Sequence, residues 1–190
     1  MRKGMDMNIV LLDANPDGQD AICQPYLDGF EQRLHAAGHQ VQRFTLREMD
    51  IKYCTGCWTC WWKTPGRCVF TDDMESIYPA VVAADRLVMF SPVSVGFVSS
   101  LLKKVKDRMI PLLHPYIEAV QGECHHRKRY DKYPDLALIV KEEAETDAED
   151  LHIIADIFQR FALNFRSRLI TCTSVLLCTP EEAADEISRI

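Results

Sequence analysis

The chain has 190 residues, with 22 Lys+Arg against 28 Asp+Glu and a net charge of -6 at pH 7. Hydrophobic residues at 47% and charged residues at 26% describe a chain that buries a core, which excludes intrinsic disorder. A single domain over 1–190 is expected at this length, and the mildly acidic balance argues against nonspecific binding to nucleic acid or anionic lipid.

The predicted elements alternate. Met7 to Leu12 is a short continuous apolar run, the pattern of a strand buried on both faces. Cys23, Leu27, Phe30, Leu34 and Ala37 recur at helical spacing, with Gly38 as the stop. Val41 to Phe44 reads as a second strand. Residues 46–70 form a long loop with all three Trp and four of the eight Cys, and long loops in compact domains are usually functional. Thr71 is the expected N-cap of the next helix, in which Pro79 predicts a kink. Arg86 to Phe90 is a third strand. Leu102, Val105, Met109 and Leu112 mark a helix ended near Pro111. Residues 114–134 form an aromatic and basic insertion, expected as a mobile loop. Leu136 to Val140 is a fourth strand. Thr146-Asp147-Ala148-Glu149 has a capping-box pattern ahead of Leu151, Ile154, Phe158 and Phe161. Leu169 to Leu177 is a fifth strand, and Pro180 opens a terminal helix.

Strands that alternate with helices imply a parallel sheet with right-handed crossovers. The expectation is an α/β, flavodoxin-like doubly wound fold: a five-stranded parallel sheet in order 2-1-3-4-5 within three α/β/α layers. Ligands of such sheets sit outside the C-terminal strand ends, at the switch in strand order. That gathers the loops 13–21, 91–97 and 141–147 around one crevice.

The apolar run behind Arg2 and Lys3 stops at Asp13, too short for a signal-peptide core. No stretch approaches the ~20 apolar residues of a membrane span. A cytoplasmic protein is expected, where disulfides are disfavoured, so eight Cys require a ligand, redox or packing role. The strongest signal is Cys54-x2-Cys57-x2-Cys60-x7-Cys68, with Cys-rich loop bounds of 54–68. Closely spaced cysteines supply most of the four thiolates that an iron–sulfur cluster needs. Zinc also takes four thiolates, but its usual pattern is two separated pairs. A packing loop or a redox pair is the remaining alternative. Cys23, Cys172 and Cys178 lie in helix or strand patterns and read as core.

The stretch Cys54 to Cys68 followed by Thr71-Asp72-Asp73-Met74 resembles the NADPH-dependent FMN reductase family, and within it the iron–sulfur flavoproteins in particular. Ser91-Pro92-Val93-Ser94-Val95-Gly96-Phe97-Val98-Ser99, then Leu102-Lys103 and Asp107-Arg108, resembles that family's second flavin loop and the helix behind it. The resemblance runs from about residue 7 to 178. It implies FMN as cofactor, NADPH or NADH as electron donor, and a homodimer or homotetramer. It also implies a 4Fe–4S cluster on Cys54, Cys57, Cys60 and Cys68, near the flavin of a neighbouring subunit. Pro92, Val93, Ser94, Val95, Gly96 and Phe97 would line the isoalloxazine ring. Asn15, Gly18, Gln19 and Asp20 fall on the phosphate loop.

That loop departs from the family's Gly-Ser-Pro-Arg-x-x-Gly-Asn-Thr pattern. Asp13-Ala14-Asn15-Pro16-Asp17-Gly18-Gln19-Asp20-Ala21 lacks the Arg and the hydroxyls and adds three carboxylates. A unit-charge pair at ~4 Å is worth about 1 kcal/mol in water and several in a partly buried site, so like charges cost comparably. Each ~1.4 kcal/mol is tenfold in affinity. Asp17 or Asp20 can instead cap the helix behind the loop. Glu142, Glu143, Glu145 and Asp147 crowd the third loop.

In the insertion, Cys124, His125 and His126, with His114, offer metal ligands, although adjacent His rarely face one site. Arg127, Lys128 and Arg129 offer charge to an NADPH phosphate or to another subunit. Trp58, Trp61 and Trp62 suit a flat cofactor or a subunit interface. There is no Gly-x-Ser-x-Gly elbow, Walker loop or His-Glu-x-x-His pair, and no residue is assigned a catalytic role. The reading is a flavin-dependent oxidoreductase of the NAD(P)H:FMN or quinone reductase type, acting on a small-molecule redox substrate or an electron-carrier protein. The alternatives are an electron-transfer iron–sulfur flavoprotein without NAD(P)H activity, and a non-catalytic relative that has lost flavin.

Overall fold

The computed structural model describes residues 6–120 and 122–189; Arg2 and Lys3 lie outside them. In chain order the elements are β1 (Asn8–Asp13), α1 (Cys23–Ala36), β2 (Gln40–Thr45), α2 (Thr59–Trp62), α3 (Met74–Ala83), β3 (Arg86–Ser94), β4 (Phe97–Val98), α4 (Ser100–Asp107), β5 (Leu113–Val120), β6 (Glu123–Lys128), β7 (Asp135–Lys141), α5 (Ala148–Asn164), β8 (Leu169–Ser174) and α6 (Pro180–Ile187). Five strands pair in parallel in the order β2-β1-β3-β7-β8, with β4 folded back antiparallel on β3. This is the flavodoxin-like order expected from the sequence.

Alternation explains the layers. In β1, Ile9 and Leu11 face one cluster with Phe30 and Leu34 of α1 and Ala183 and Ile187 of α6. Val10 and Leu12 face the other, with Met74 and Val81 of α3, Leu102 of α4 and Phe158 of α5. Successive side chains leave opposite faces of a strand, so a strand covered on both sides is apolar throughout. No helix among the described residues is long and apolar enough to cross a membrane.

Several local expectations change. Asp73, not Thr71, precedes α3, and Asp72 accepts from the Met74 amide at 3.2 Å while also pairing with buried Arg108. Pro79 sits inside α3 without ending it. The helix predicted over Leu102–Leu112 stops at Asp107, and Pro111 belongs to a separate short 3-10 turn. The capping box ahead of α5 is Asp147 with Asp150, since the Thr146 hydroxyl is used by the Glu143 amide at 3.0 Å. The last strand ends at Ser174, whose carbonyl accepts from the Leu177 amide and turns the chain.

The insertion is an antiparallel hairpin rather than a loose loop. Its strand geometry also disperses the metal ligands proposed there. His125 turns inward between Asn164 and Glu123, at 3.2 and 3.1 Å, while the His126 ring lies 4.8 Å from that of Trp61. Cys124 is exposed. Arg129 is not a free cation either, because it donates to the carbonyls of Pro111 and Leu113 at 3.0 and 3.1 Å.

Candidate functional site

Strand register brings the three loops to one edge. Asp13 pairs with Phe90, Ser91 with Val140 and Pro92 with Lys141. The Ala14 amide donates to the Phe90 carbonyl at 2.9 Å, and the Ser99 hydroxyl donates to the Ala14 carbonyl at 2.7 Å. The Ser91 hydroxyl in turn accepts from the Ser99 amide at 2.8 Å. Lys141 reaches Asp20 at 3.1 Å and so ties the third loop to the first.

The acids of the first loop are not free. Asp13 is fully buried and accepts from Arg43 at 2.8 Å and Arg47 at 3.1 Å. These arginines come from β2 and the turn after it and supply the charge that the loop lacks. Gly18 leaves them room, because a Cβ there would lie 3.1 Å from Arg47 Nε. Asn15 is buried and folds onto the Asp17 backbone, donating to its carbonyl at 2.6 Å and accepting from its amide at 3.1 Å. The Gln19 amide donates to the Asp17 carboxylate at 2.8 Å. Asp20 Oδ1 accepts from the amides of Ile22 and Cys23, both at 2.8 Å, at the start of α1. Burial opposes ionisation of Asp20, but the Cys23 and Ile22 amides and Lys141 outweigh it and hold its pKa down at about 2.

The second loop is a tight hairpin from β3 to β4. Val95 and Gly96 both have positive φ, 51° and 71°, the conformation of a two-residue turn that matches strand twist. A β-branched residue there is strained, and Val95 is fully solvent-exposed. Gly96 is required, since a Cβ would lie 2.6 Å from Asp150 Oδ1. Ser94 is exposed and Phe97 half-buried, whereas Pro92 and Val93 are buried. Their side chains belong to the interior, so the surface this loop offers a flat ring is the Ser94–Phe97 apex. Such an apex fits an isoalloxazine. The first loop fits a phosphate poorly, because the amides of Asn15, Asp17, Gln19, Asp20, Ile22 and Cys23 already donate within the chain, which leaves only those of Gly18 and Ala21.

The second constellation is the cysteine loop. Cys54, Cys57, Cys60 and Cys68 line one small cavity of about 20 Å³, bordered by Trp58, Phe70 and Ile110. Gly56 and Trp58 take φ of 64° and 57° to bend the chain around it. The Gly66 amide donates to the Cys60 carbonyl at 3.0 Å, which folds Cys68 back toward the other three. Trp61 clamps the loop by donating to the carbonyls of Ile110 and Leu113 at 3.2 and 3.1 Å. Beneath it, Arg108 is buried, grips both oxygens of Asp72 at 2.7 and 3.0 Å, and lies 5.3 Å from the Phe70 ring.

The thiols feel one another. Burial, then the charges of Cys68, Cys54 and Cys57, pushes the Cys60 thiol up to about 11. A hydrogen bond from the Thr59 hydroxyl lowers Cys57. Among the described residues, no three His, Cys, Asp or Glu side chains converge closely enough to hold a metal ion. Tetrahedral zinc would need thiolates about 4 Å apart. Four soft donors spread around one cavity suit a multi-iron cluster better than a single ion.

Arg43, Arg47 and Lys141 escaped sequence reasoning as parts of these sites, and Asp72 and Arg108, named there within the resemblance, were not paired. Their only signal was charge next to apolar runs, which surface residues share.

The fold is that of a flavodoxin-like protein, an open sheet with loops gathered at the switch in strand order. The chain belongs to the NADPH-dependent FMN reductase family, whose sequence model matches residues 7–128. An iron–sulfur flavoprotein of Archaeoglobus fulgidus is 36% identical over 88 residues, which cover 46% of this chain and 39% of the relative. An iron–sulfur flavoprotein of Methanocaldococcus jannaschii is 32% identical over 89 residues, covering 47% of this chain and 44% of the relative. The chain therefore spans less than half the length of these curated relatives. Among solved structures, an NAD(P)H:quinone oxidoreductase from Methanothermobacter marburgensis aligns with a TM-score of 0.64 at 16% identity, covering 97% of this chain and 92% of that one. That likeness shows the fold.

Proposed function

We propose that this chain is a flavin-dependent oxidoreductase in which Cys54, Cys57, Cys60 and Cys68 hold a 4Fe–4S cluster. The observation that carries the reading is that four thiols line one cavity, with Cys54, Cys57 and Cys68 all near enough to perturb Cys60. Family membership and the names of the iron–sulfur relatives support it. A bound cluster supplies one-electron transfer. The four thiolates would be its ligands, Trp61 and the Asp72–Arg108 pair hold the loop in shape, and the Trp58 and Phe70 rings limit access of water. The Ser94–Phe97 apex presents backbone to a flavin ring. NADPH or NADH is the proposed electron donor, and a small-molecule redox substrate or an electron-carrier protein the acceptor. Exposed Trp58, Trp62, Tyr53 and Val69 give the cysteine loop an apolar rim suited to a second copy of the chain in a homodimer or homotetramer.

The test is anaerobic reconstitution followed by NADPH and NADH oxidation with quinone or added flavin as acceptor. The reading predicts turnover that each of Cys54→Ser, Cys57→Ser, Cys60→Ser and Cys68→Ser reduces together with bound iron. A reconstituted protein that holds iron but is inert to both nicotinamides would make it a carrier instead. One that holds neither iron nor flavin would refute the proposal.

A further inference from the structure

We infer that the crevice selects a flavin with an uncharged ribityl tail, riboflavin rather than FMN, because Asp20 occupies with its own carboxylate the place of a phosphate monoester. The inference rests on the reading that the crevice takes a flavin.

A helix N-terminus binds phosphate through free amides and a favourable dipole. At α1 both amides nearest the crevice, those of Ile22 and Cys23, donate at 2.8 Å to Asp20 Oδ1. The other oxygen of the same carboxylate pairs with Lys141 at 3.1 Å. The amides of Asn15, Asp17 and Gln19 donate within the loop, to Asp13, Asn15 and Asp17. The remaining cations, Arg43 and Arg47, converge on Asp13 at 2.8 and 3.1 Å. Apart from the Gly18 and Ala21 amides, the loop thus has its donors taken up from within the chain. Its charges are balanced by one another, and a phosphate of nearly two negative charges would have to displace Asp20 and then sit beside it.

A hydroxyl has the opposite preference. The carboxylates of Asp17 and Asp20 are acceptors, and a ribityl hydroxyl is a donor that can meet them without displacing a bond. Asp20 stays ionised over the ordinary pH range, because its amide partners and Lys141 hold it well below other carboxylates. The ring-facing hairpin at Val95 and Gly96 is unaffected by the nature of the tail.

The test is equilibrium titration of riboflavin and of FMN, followed by flavin fluorescence, into the full chain and into Asp20→Ser. A serine hydroxyl can still accept from an amide of the turn before α1 while the negative charge is removed; circular dichroism checks that the variant folds. The wild-type chain is expected to bind riboflavin at least about tenfold more tightly than FMN. Asp20→Ser is expected to raise FMN affinity by about tenfold or more and to leave riboflavin within a few-fold. A wild-type chain that prefers FMN, or a preference that Asp20→Ser does not move, would overturn the inference and leave the flavin reading standing. Binding of neither flavin to either protein would overturn the flavin reading itself, and this inference with it.

Discussion

At the scale of single residues, buried charges carry the most testable content. The folded pKa of Asp20, about 2, lies below its ordinary value of 3.8. Its ionised form is therefore favoured by folding. That stabilisation is complete above the ordinary carboxylate range and is lost as pH falls through about 2. Asp20→Ala removes the acceptor of the Ile22 and Cys23 amides together with this charge, and should cost about 1–2 kcal/mol at pH 7. Urea unfolding of both proteins at pH 7 and near pH 2 checks it. The gap between them should narrow in acid, and a gap that stays constant would contradict the assignment. Arg108 and Asp72 are a buried, two-pronged pair. Arg108→Met strands the carboxylate and should destabilise the chain by about 3–5 kcal/mol, whereas Arg108→Met with Asp72→Leu should recover much of that loss. Denaturation midpoints of the two variants separate the cases.

At the scale of elements, the β3–β4 hairpin stores strain that the rest of the fold tolerates. Val95 is exposed, β-branched and at positive φ, in a two-residue turn that favours Asn-Gly. Val95→Asn should raise stability by about 1 kcal/mol, read as a higher melting temperature. An unchanged or lower melting temperature would show that Val95 is not strained. The central strands β1, β3 and β7 were legible as short apolar runs, whereas β2 and β8 at the sheet edges mix apolar and polar residues. The β5–β6 hairpin was not legible. Its exposed positions include apolar Tyr116, Ile117 and Ala119, and its one buried position in β6 is His125, held by Asn164 and Glu123, so apolar-inward alternation never appears. Helix limits failed where another group took the capping side chain, as the Glu143 amide did with the Thr146 hydroxyl.

At the scale of the whole molecule, the sheet order and the cysteine loop could be read from the sequence, but the electrostatics of the crevice could not. Asp13 looked like an uncompensated charge. Its partners Arg43 and Arg47 become neighbours only through the register of β1 with β2, which places Leu11 opposite Arg43 and Asp13 opposite Thr45. Lys141 meets Asp20 through the joint register of β1, β3 and β7. Pairings of that kind are properties of the assembled sheet. The proposed self-association makes a prediction at this scale too. Sedimentation should give a mass above the 21.8 kDa of one chain, and Trp62→Glu should lower it toward that value if the exposed rim of the cysteine loop is the contact.

The central claim is that four thiols around one cavity hold an iron–sulfur cluster in a flavin-binding chain. Oxygen-free purification with an absorbance spectrum and counts of iron, sulfide, zinc and flavin tests it most directly. The account predicts a brown protein with about four iron and four sulfide per chain and flavin released on denaturation. A colourless protein that carries zinc at the cysteine loop, or no metal there after reconstitution, would contradict it.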